Sequence, residues 1–282
     1  MSDLDTDSKV ANKSNTWHSI FKRGTLTWDT VKEKADIEWT DEAELKGNLA
    51  RSVTHSFKEI SLPGKNEEKH LFLSYYDRLN SSGGRGLELS ELVTFDGRLL
   101  TIDDRTGVIY QIHNYQHRKH PTSKDPKIKL SPWTILSDGN GSETKSFKGE
   151  WMTVKDEHLY VGGLGKEWTT SEGHLLNFNP MFVKRISARG EVEHLDWHDS
   201  YVKMRSAAGI EFPGYMIHEA VGWSETQGRW LALPRRASKY KYNDVEDERH
   251  GTNMLLKSDP SYGEIVSIKK NATLTNLSSV HS

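Results

Sequence analysis

The fold turns on one stretch, Glu91-Leu-Val-Thr-Phe95-Asp96-Gly97-Arg98-Leu-Leu-Thr-Ile102. Two short apolar-rich runs flank an Asp-Gly dipeptide. Asp and Gly tolerate positive φ, which a tight hairpin turn needs at both central positions, so the stretch reads as two antiparallel strands joined by that turn. A third run, Val108-Ile-Tyr-Gln-Ile112, follows the turn Asp104-Arg-Thr-Gly107 and extends the hairpin to a meander.

Working outward, the same pattern returns. Trp151-Met-Thr-Val154 and Leu159-Tyr-Val161 flank Lys155-Asp156-Glu157; Val183-Lys-Arg-Ile186 is answered by Glu191-Val-Glu-His194, and Gly222-Trp223 by Arg229-Trp-Leu-Ala-Leu233. About 50–60 residues separate successive meanders, a spacing that suits a propeller of four-stranded blades. A β-sandwich gives similar spacing, and no strict repeat separates the two. The chain between the meanders is polar. Residues 1–16 read as loop, 41–50 as a short helical turn, 51–83 as an inserted loop and 113–129 as a second polar excursion.

Composition agrees with short strands and long polar loops. Hydrophobic residues make up 34% of the 282 and charged residues 28%, which is thin for an α/β core. Nine Trp and ten Tyr compensate by supplying large apolar area per residue. A formal charge of −2 argues against a nucleic-acid partner, which selects a basic surface. Absence of Cys excludes disulfides, thiolate metal sites and Cys nucleophiles. No apolar run approaches the roughly 18 residues that span a bilayer, and the acidic, polar start MSDLDTDSK is not a signal peptide. Asn-x-Ser/Thr sequons stand at Asn12, Asn80, Asn140, Asn271 and Asn276.

Common catalytic signatures are missing: no H-E-x-x-H, no G-x-S-x-G and no phosphate loop. Gly162-Gly-Leu-Gly165-Lys166 lacks the glycine spacing and the hydroxyl residue of a phosphate loop. His113, His117 and His120 read as a solvated loop because Pro121 and many charges surround them. The carboxylates carry more. Asp3 and Asp5 share one side of an extended segment. Asp103-Asp104-Arg105 marks a turn, Glu150 precedes an aromatic strand start, and Glu219 follows the apolar run Tyr215-Met-Ile-His218. Together they suit a hard cation, which takes six to eight oxygen ligands when it is Ca²⁺.

Several longer stretches are more specific. They include Gly84-Arg-Gly-Leu-Glu-Leu-Ser90-Glu-Leu, Asp103-Asp-Arg-Thr-Gly-Val-Ile-Tyr110, Leu136-Ser-Asp-Gly139, Glu150-Trp and Tyr160-Val-Gly-Gly-Leu-Gly-Lys-Glu-Trp-Thr-Thr170. Further along stand Ala207-Ala-Gly-Ile210, Pro213-Gly-Tyr-Met-Ile-His-Glu219, Trp223-Ser, Leu233-Pro-Arg-Arg-Ala-Ser238 and Asp247-Glu-Arg249. In content and order these resemble the calcium-activated nucleotidase (apyrase) family. The resemblance implies a five-bladed β-propeller, one domain over residues 1–282, with a central Ca²⁺. It implies hydrolysis of nucleoside di- and triphosphates such as UDP, GDP and ADP, and a place in the secretory pathway. It leaves a homodimer open.

By position, the family's calcium ligands fall on Ser90, Glu150, Glu219 and Ser278, with Glu91 where the family has Asp. Asp3, Asp5 and Asp104 fall on acids that line the nucleotide site, and Arg235 falls beside the phosphates. Phosphoanhydride hydrolysis needs charge neutralisation and an in-line water. Arg235, with Arg105 and Lys166, is expected to meet the developing charge. Asp5 or Asp104 is expected to orient the water; Trp168 reads first as a core residue, with stacking on the base as its functional alternative. Compared with the family pattern, both chain ends look shortened, so an incomplete propeller with impaired turnover, acting as a binding module, is the alternative. An extracellular Ca²⁺-binding adhesion protein is a second, which the Arg235-Arg236 pair speaks against.

Overall fold

The structure is a computed structural model and describes residues 16–32, 34–48, 87–115 and 128–269. The chain falls into two compact units. The first comprises residues 1–137 and 143–148, the second 138–142 and 149–282. The fold class is all-β, of propeller type. Three separate sheets each contain four antiparallel strands.

In the first unit, β3 (Leu89–Phe95), β4 (Arg98–Asp103), β5 (Val108–His113) and β6 (Lys129–Ile135) form an up-and-down sheet in chain order. The Asp-Gly turn is as expected. Asp96 has φ 46° and Gly97 φ 72°, and Phe95 pairs with Arg98 across it. Strand β4 is buried on both faces, and Leu100, Ile102 and Ile109 are fully buried. Burial of each such side chain contributes ~1.5–3 kcal/mol, which anchors the middle of the sheet. Gly107 (φ 65°) closes the β4–β5 turn. A Cβ there would lie 2.5 Å from the Leu136 carbonyl oxygen, so only glycine fits.

The same unit holds a long hairpin, β1 (Thr16–Asp29) and β2 (Lys34–Asn48). Residues 41–48 therefore lie in a strand, not in the helical turn expected for 41–50. Asp-Glu-Ala-Glu-Leu-Lys has fair helix propensity, but a cross-strand ladder runs through it, with Ala43 opposite Phe21 and Leu45 opposite Ser19. Tertiary pairing outweighs a local preference worth only tenths of a kcal/mol per residue. His113 ends β5, its Nε2 2.6 Å from Ser131 Oγ; His117, His120 and the expected inserted loop 51–83 lie outside the described residues.

In the second unit, β7 (Trp151–Lys155), β8 (His158–Gly162), β11 (Phe182–Ile186) and β12 (Val192–Asp196) make one sheet. Strands β13 (Tyr215–Ser224), β14 (Arg229–Ser238), β15 (Met254–Ser258) and β16 (Ile265–Lys269) make the other. Two short strands, β9 (Trp168–Thr169) and β10 (Leu175–Asn177), pair beside them. The β7–β8 turn holds Asp156 at φ 47° and Glu157 at φ 58°. It is a primed hairpin turn built without glycine.

An aromatic cluster fills the core, as the Trp and Tyr content leads one to expect. Trp197 and Trp230 meet edge to face with centroids 5.0 Å apart, and Trp151, Tyr160, Tyr201 and Tyr262 surround them. Such pairs add ~0.5–1.5 kcal/mol each beyond area burial. Helix α1 (His198–Ala207) covers this core through Tyr201, Met204 and Arg205, a helical spacing that the sequence carries but that no strong cap announces. A second, four-residue helix, α2 (Asp244–Asp247), is capped by Asn243, whose side chain accepts from the backbone of Val245 and Glu246.

Candidate active site

In the first unit, Ser90 stands where β3 breaks register. Ser90 pairs with Ile102, the ladder resumes only at Val93 opposite Leu100, and Glu91 adopts φ 56°. The Thr101 hydroxyl donates to the carbonyl oxygens of Ser90 (3.3 Å) and Glu91 (2.9 Å). The bulge is thereby held from within, and bulges are a usual means of re-aiming a side chain beside a site.

The next strand end carries Asp103 and Asp104, and their roles differ. Asp103 is fully buried and accepts from the backbone of Leu87 (3.0 Å) and Arg105 (3.1 Å) and from the Thr106 hydroxyl (2.9 Å). Burial pushes its carboxyl up to about 7, against the pull of those donors. It is a turn-former. Asp104 instead meets cations. Lys148 Nζ donates to it at 2.8 Å, and Arg105 Nε lies 3.8 Å away. Arg105 Nε also donates to Glu88 at 2.6 Å. Asp104 and Arg105 thus belong to one charge cluster with Glu88 and Lys148. Lys148 was not singled out from sequence; it lies 44 residues from Asp104, and its only sequence signal was its nearness to Glu150.

In the second unit, Glu150 is almost buried and its backbone N–H donates to Gly162 at 2.8 Å, directly before β7. Glu219 and Arg235 come together. Arg235 Nη1 donates to Glu219 Oε1 at 2.6 Å, both side chains remaining partly open to solvent. Register explains the meeting. His218 pairs with Pro234 and Val221 with Ala232, so Glu219 and Ala220 bulge on β13. Ile217 pairs with Arg236, so Arg235 is the extra residue of a second bulge on β14.

Lys166 is buried in the second unit. Its ammonium donates to the Glu167 carbonyl (2.9 Å) and Thr169 Oγ1 (3.3 Å) and lies 4.2 Å from the Tyr242 ring centroid. Burial lowers it to about 8, against the pull of Asp247, Glu167 and Asp244. Trp168 opens β9 and is half-buried. Between them Glu167 makes a buried ion pair with Arg205 at 2.8 Å. Asp3, Asp5 and Ser278 lie outside the described residues.

Among the described residues, no three His, Cys, Asp or Glu side chains gather to hold a metal. Ser90 in the first unit, and Glu150 and Glu219 in the second, each offer oxygen, the donor type that suits a hard cation and not a soft one. Glu219 already shares one oxygen with Arg235. Its carboxylate, partly open to solvent, keeps oxygen capacity that suits a cation ligand.

Sheets of four antiparallel strands define a propeller-type protein, whose bulged strands carry oxygen donors and a half-open arginine. Comparison with known sequences narrows this. The pattern that defines the family described as Apyrase matches residues 65–281. Soluble calcium-activated nucleotidase 1 of Rattus norvegicus is 44% identical over 94% of this chain and 55% of its own length. Apyrase apy-1 of Caenorhabditis elegans is 44% identical over 91% of this chain and 59% of its own. An apyrase of Cimex lectularius is 41% identical over 93% and 60%. The chain belongs to the apyrase family. It spans just over half the length of the curated relatives it matches.

Proposed function

We propose that this chain is a Ca²⁺-dependent nucleotidase that hydrolyses nucleoside di- and triphosphates such as UDP, GDP and ADP to monophosphates and phosphate. The observation that carries the reading is the Arg235–Glu219 pair at 2.6 Å in doubly bulged strands, in a chain of the apyrase family. The names of the rat and mouse relatives supply the calcium.

Ca²⁺, when bound, neutralises phosphate charge and polarises a phosphoryl oxygen. Ser90, Glu150, Glu219 and Ser278 are its proposed ligands. Arg235 is proposed to leave Glu219 for the phosphate. A guanidinium grips two phosphate oxygens in one plane, which an ammonium cannot do. Asp104 or Asp5 orients the attacking water. Lys148 and Arg105 hold Asp104 in place for that task. Asp3, Arg105, Lys166 and Trp168 are the proposed substrate contacts, Trp168 against the base. The reading includes a five-bladed propeller over residues 1–282, a secretory-pathway location and a homodimer. No helix among the described residues is long and apolar enough to cross a membrane.

The test is phosphate release from UDP, GDP, ADP and ATP under Ca²⁺ titration, with EGTA as control. Glu219→Ala is expected to abolish Ca²⁺-dependent UDP hydrolysis. Undiminished hydrolysis in that variant, or release indifferent to EGTA, overturns the assignment.

A further inference from the structure

Arg235 is the extra residue of a bulge, and nothing in β15 holds that stretch of β14, since their ladder covers only Trp230–Ala232. Another segment does. Thr252 N–H donates to the Arg235 carbonyl (3.1 Å), Ala237 N–H donates to the His250 carbonyl (3.0 Å), and Arg236 bridges Gly251. The Thr252 hydroxyl donates to the Pro234 carbonyl. Residues 250–252 thus act as a surrogate strand along the bulge.

That segment is tied down at one point. Asp247 ends α2 and is 2% exposed. One carboxylate oxygen accepts from the Tyr215 hydroxyl at 2.6 Å, and the other receives Arg236 Nη1. Arg236 Nη2 reaches Glu248 at 2.8 Å, and the Tyr215 hydroxyl also lies 2.9 Å from His250 Nδ1. Asp247 therefore links three elements: Tyr215 at the start of β13, Arg236 beside the bulge, and the turn that delivers residues 250–252. Removing one partner from such a buried, charged network leaves the other partner unpaired, which strands resist by shifting.

We propose that Asp247 is a positioning residue. Through Arg236 and the 250–252 segment it fixes the β14 bulge, and so sets the direction from which Arg235 meets a phosphate. The proposal rests on the nucleotidase reading. Geometry displaced by about 1 Å costs rate more than binding, because orientation is needed most at the transition state.

The experiment is a double-mutant cycle on UDP hydrolysis with Asp247→Asn and Arg235→Ala. Asp247→Asn is expected to lower kcat about ten- to thirtyfold with KM changed less than about twofold. In the Arg235→Ala background it is expected to add little. The side-chain Arg235 Nε–H resonance is expected to shift in Asp247→Asn. A full additional loss in the Arg235→Ala background, or an unmoved Arg235 resonance, overturns the proposal. Full activity of Arg235→Ala alone instead sinks the role given to Arg235, so the two failures are distinguishable. Should Asp247→Asn fail to fold, Tyr215→Phe deletes only the hydroxyl and is expected to lower kcat about three- to fivefold. An unchanged kcat in a folded Tyr215→Phe then counts against the proposal.

Discussion

Two pairs of adjacent like charges, Asp103-Asp104 in the first unit and Arg235-Arg236 in the second, divide their labour in the same way and satisfy it by different chemistry. In each, one member is consumed by the scaffold and its neighbour faces groups of opposite charge. Asp103 is buried among hydrogen-bond donors, so dipoles hold its carboxyl group. Arg236 is neutralised by two acids, Asp247 and Glu248. The neighbours differ too. Asp104 lies between cations, whereas Arg235 has one acid and a partly open face. Dipoles are enough to hold a turn. A residue that must hold a neighbour in a bulge needs a stiffer, charged clamp.

The largest expected effect tests the neighbour in the second pair. Arg235→Ala is expected to lower kcat/KM for UDP by about 10²–10³, the usual cost of removing one charged transition-state contact. Arg235→Lys is expected to recover only part of that, since the fork geometry is lost. Thermal stability is expected to change little, because the Arg235–Glu219 pair is partly exposed and such pairs contribute ~0–1 kcal/mol. Equal kcat/KM in Arg235→Ala and the parent, measured at saturating Ca²⁺, would remove the functional half of the comparison.

The consumed member of the first pair gives the next effect. Asp103→Ala strands the N–H groups of Leu87 and Arg105 and the Thr106 hydroxyl. Each stranded group costs roughly 1–3 kcal/mol before water relaxes in, so a loss of about 2–4 kcal/mol is expected in chemical denaturation. Asp104→Ala, whose carboxylate is largely buried but whose cationic partners reach solvent, is expected to lose less, about 1–2 kcal/mol. Equal losses for the two variants would show that burial does not separate them.

Much of the fold was legible in the chain, and the reasons are local. Asp96-Gly97 and Asp156-Glu157 occupy positive φ, and short polar turns between alternating runs announce that directly. Strand β2 was missed because Glu-Ala-Glu-Leu-Lys favours a helix until β1 lies beside it. Helix α1 was missed because its buried apolar residues, Tyr201 and Met204, are sparse among charges. The site was legible in composition and not in pairing. Glu219 and Arg235 were chosen by resemblance, but their contact follows from two register shifts that no residue-level signal encodes. Lys148 and Asp247 went unnoticed as site residues for the same reason. Their roles exist only once distant strands are brought together.

The smallest effect separates the two units by the sign of their pH response. In the first unit, the Asp103 carboxyl is raised from 3.8 to about 7 by burial. The folded chain then holds a proton that the unfolded chain has lost, so this group's contribution falls as pH rises from about 4 to 7. In the second unit, burial lowers Lys166 and Lys184 from 10.5 to about 8. Between 8 and 10.5 the unfolded chain holds protons that the folded chain has shed, so stability rises with pH. Near pH 10 the buried tyrosines Tyr201, Tyr215 and Tyr242, all raised by burial, impose the opposite slope. The clean window for the lysines is therefore about pH 8 to 9.5. Urea unfolding across it is expected to show a gain on the order of 1 kcal/mol. Lys166→Met combined with Lys184→Met is expected to flatten that rise and to leave the acid side unchanged, where the falling contribution of Asp103 is opposed by buried His218, lowered from 6.5 to about 3. A rise that survives in the double variant would mean that neither lysine is held out of water as the structure shows.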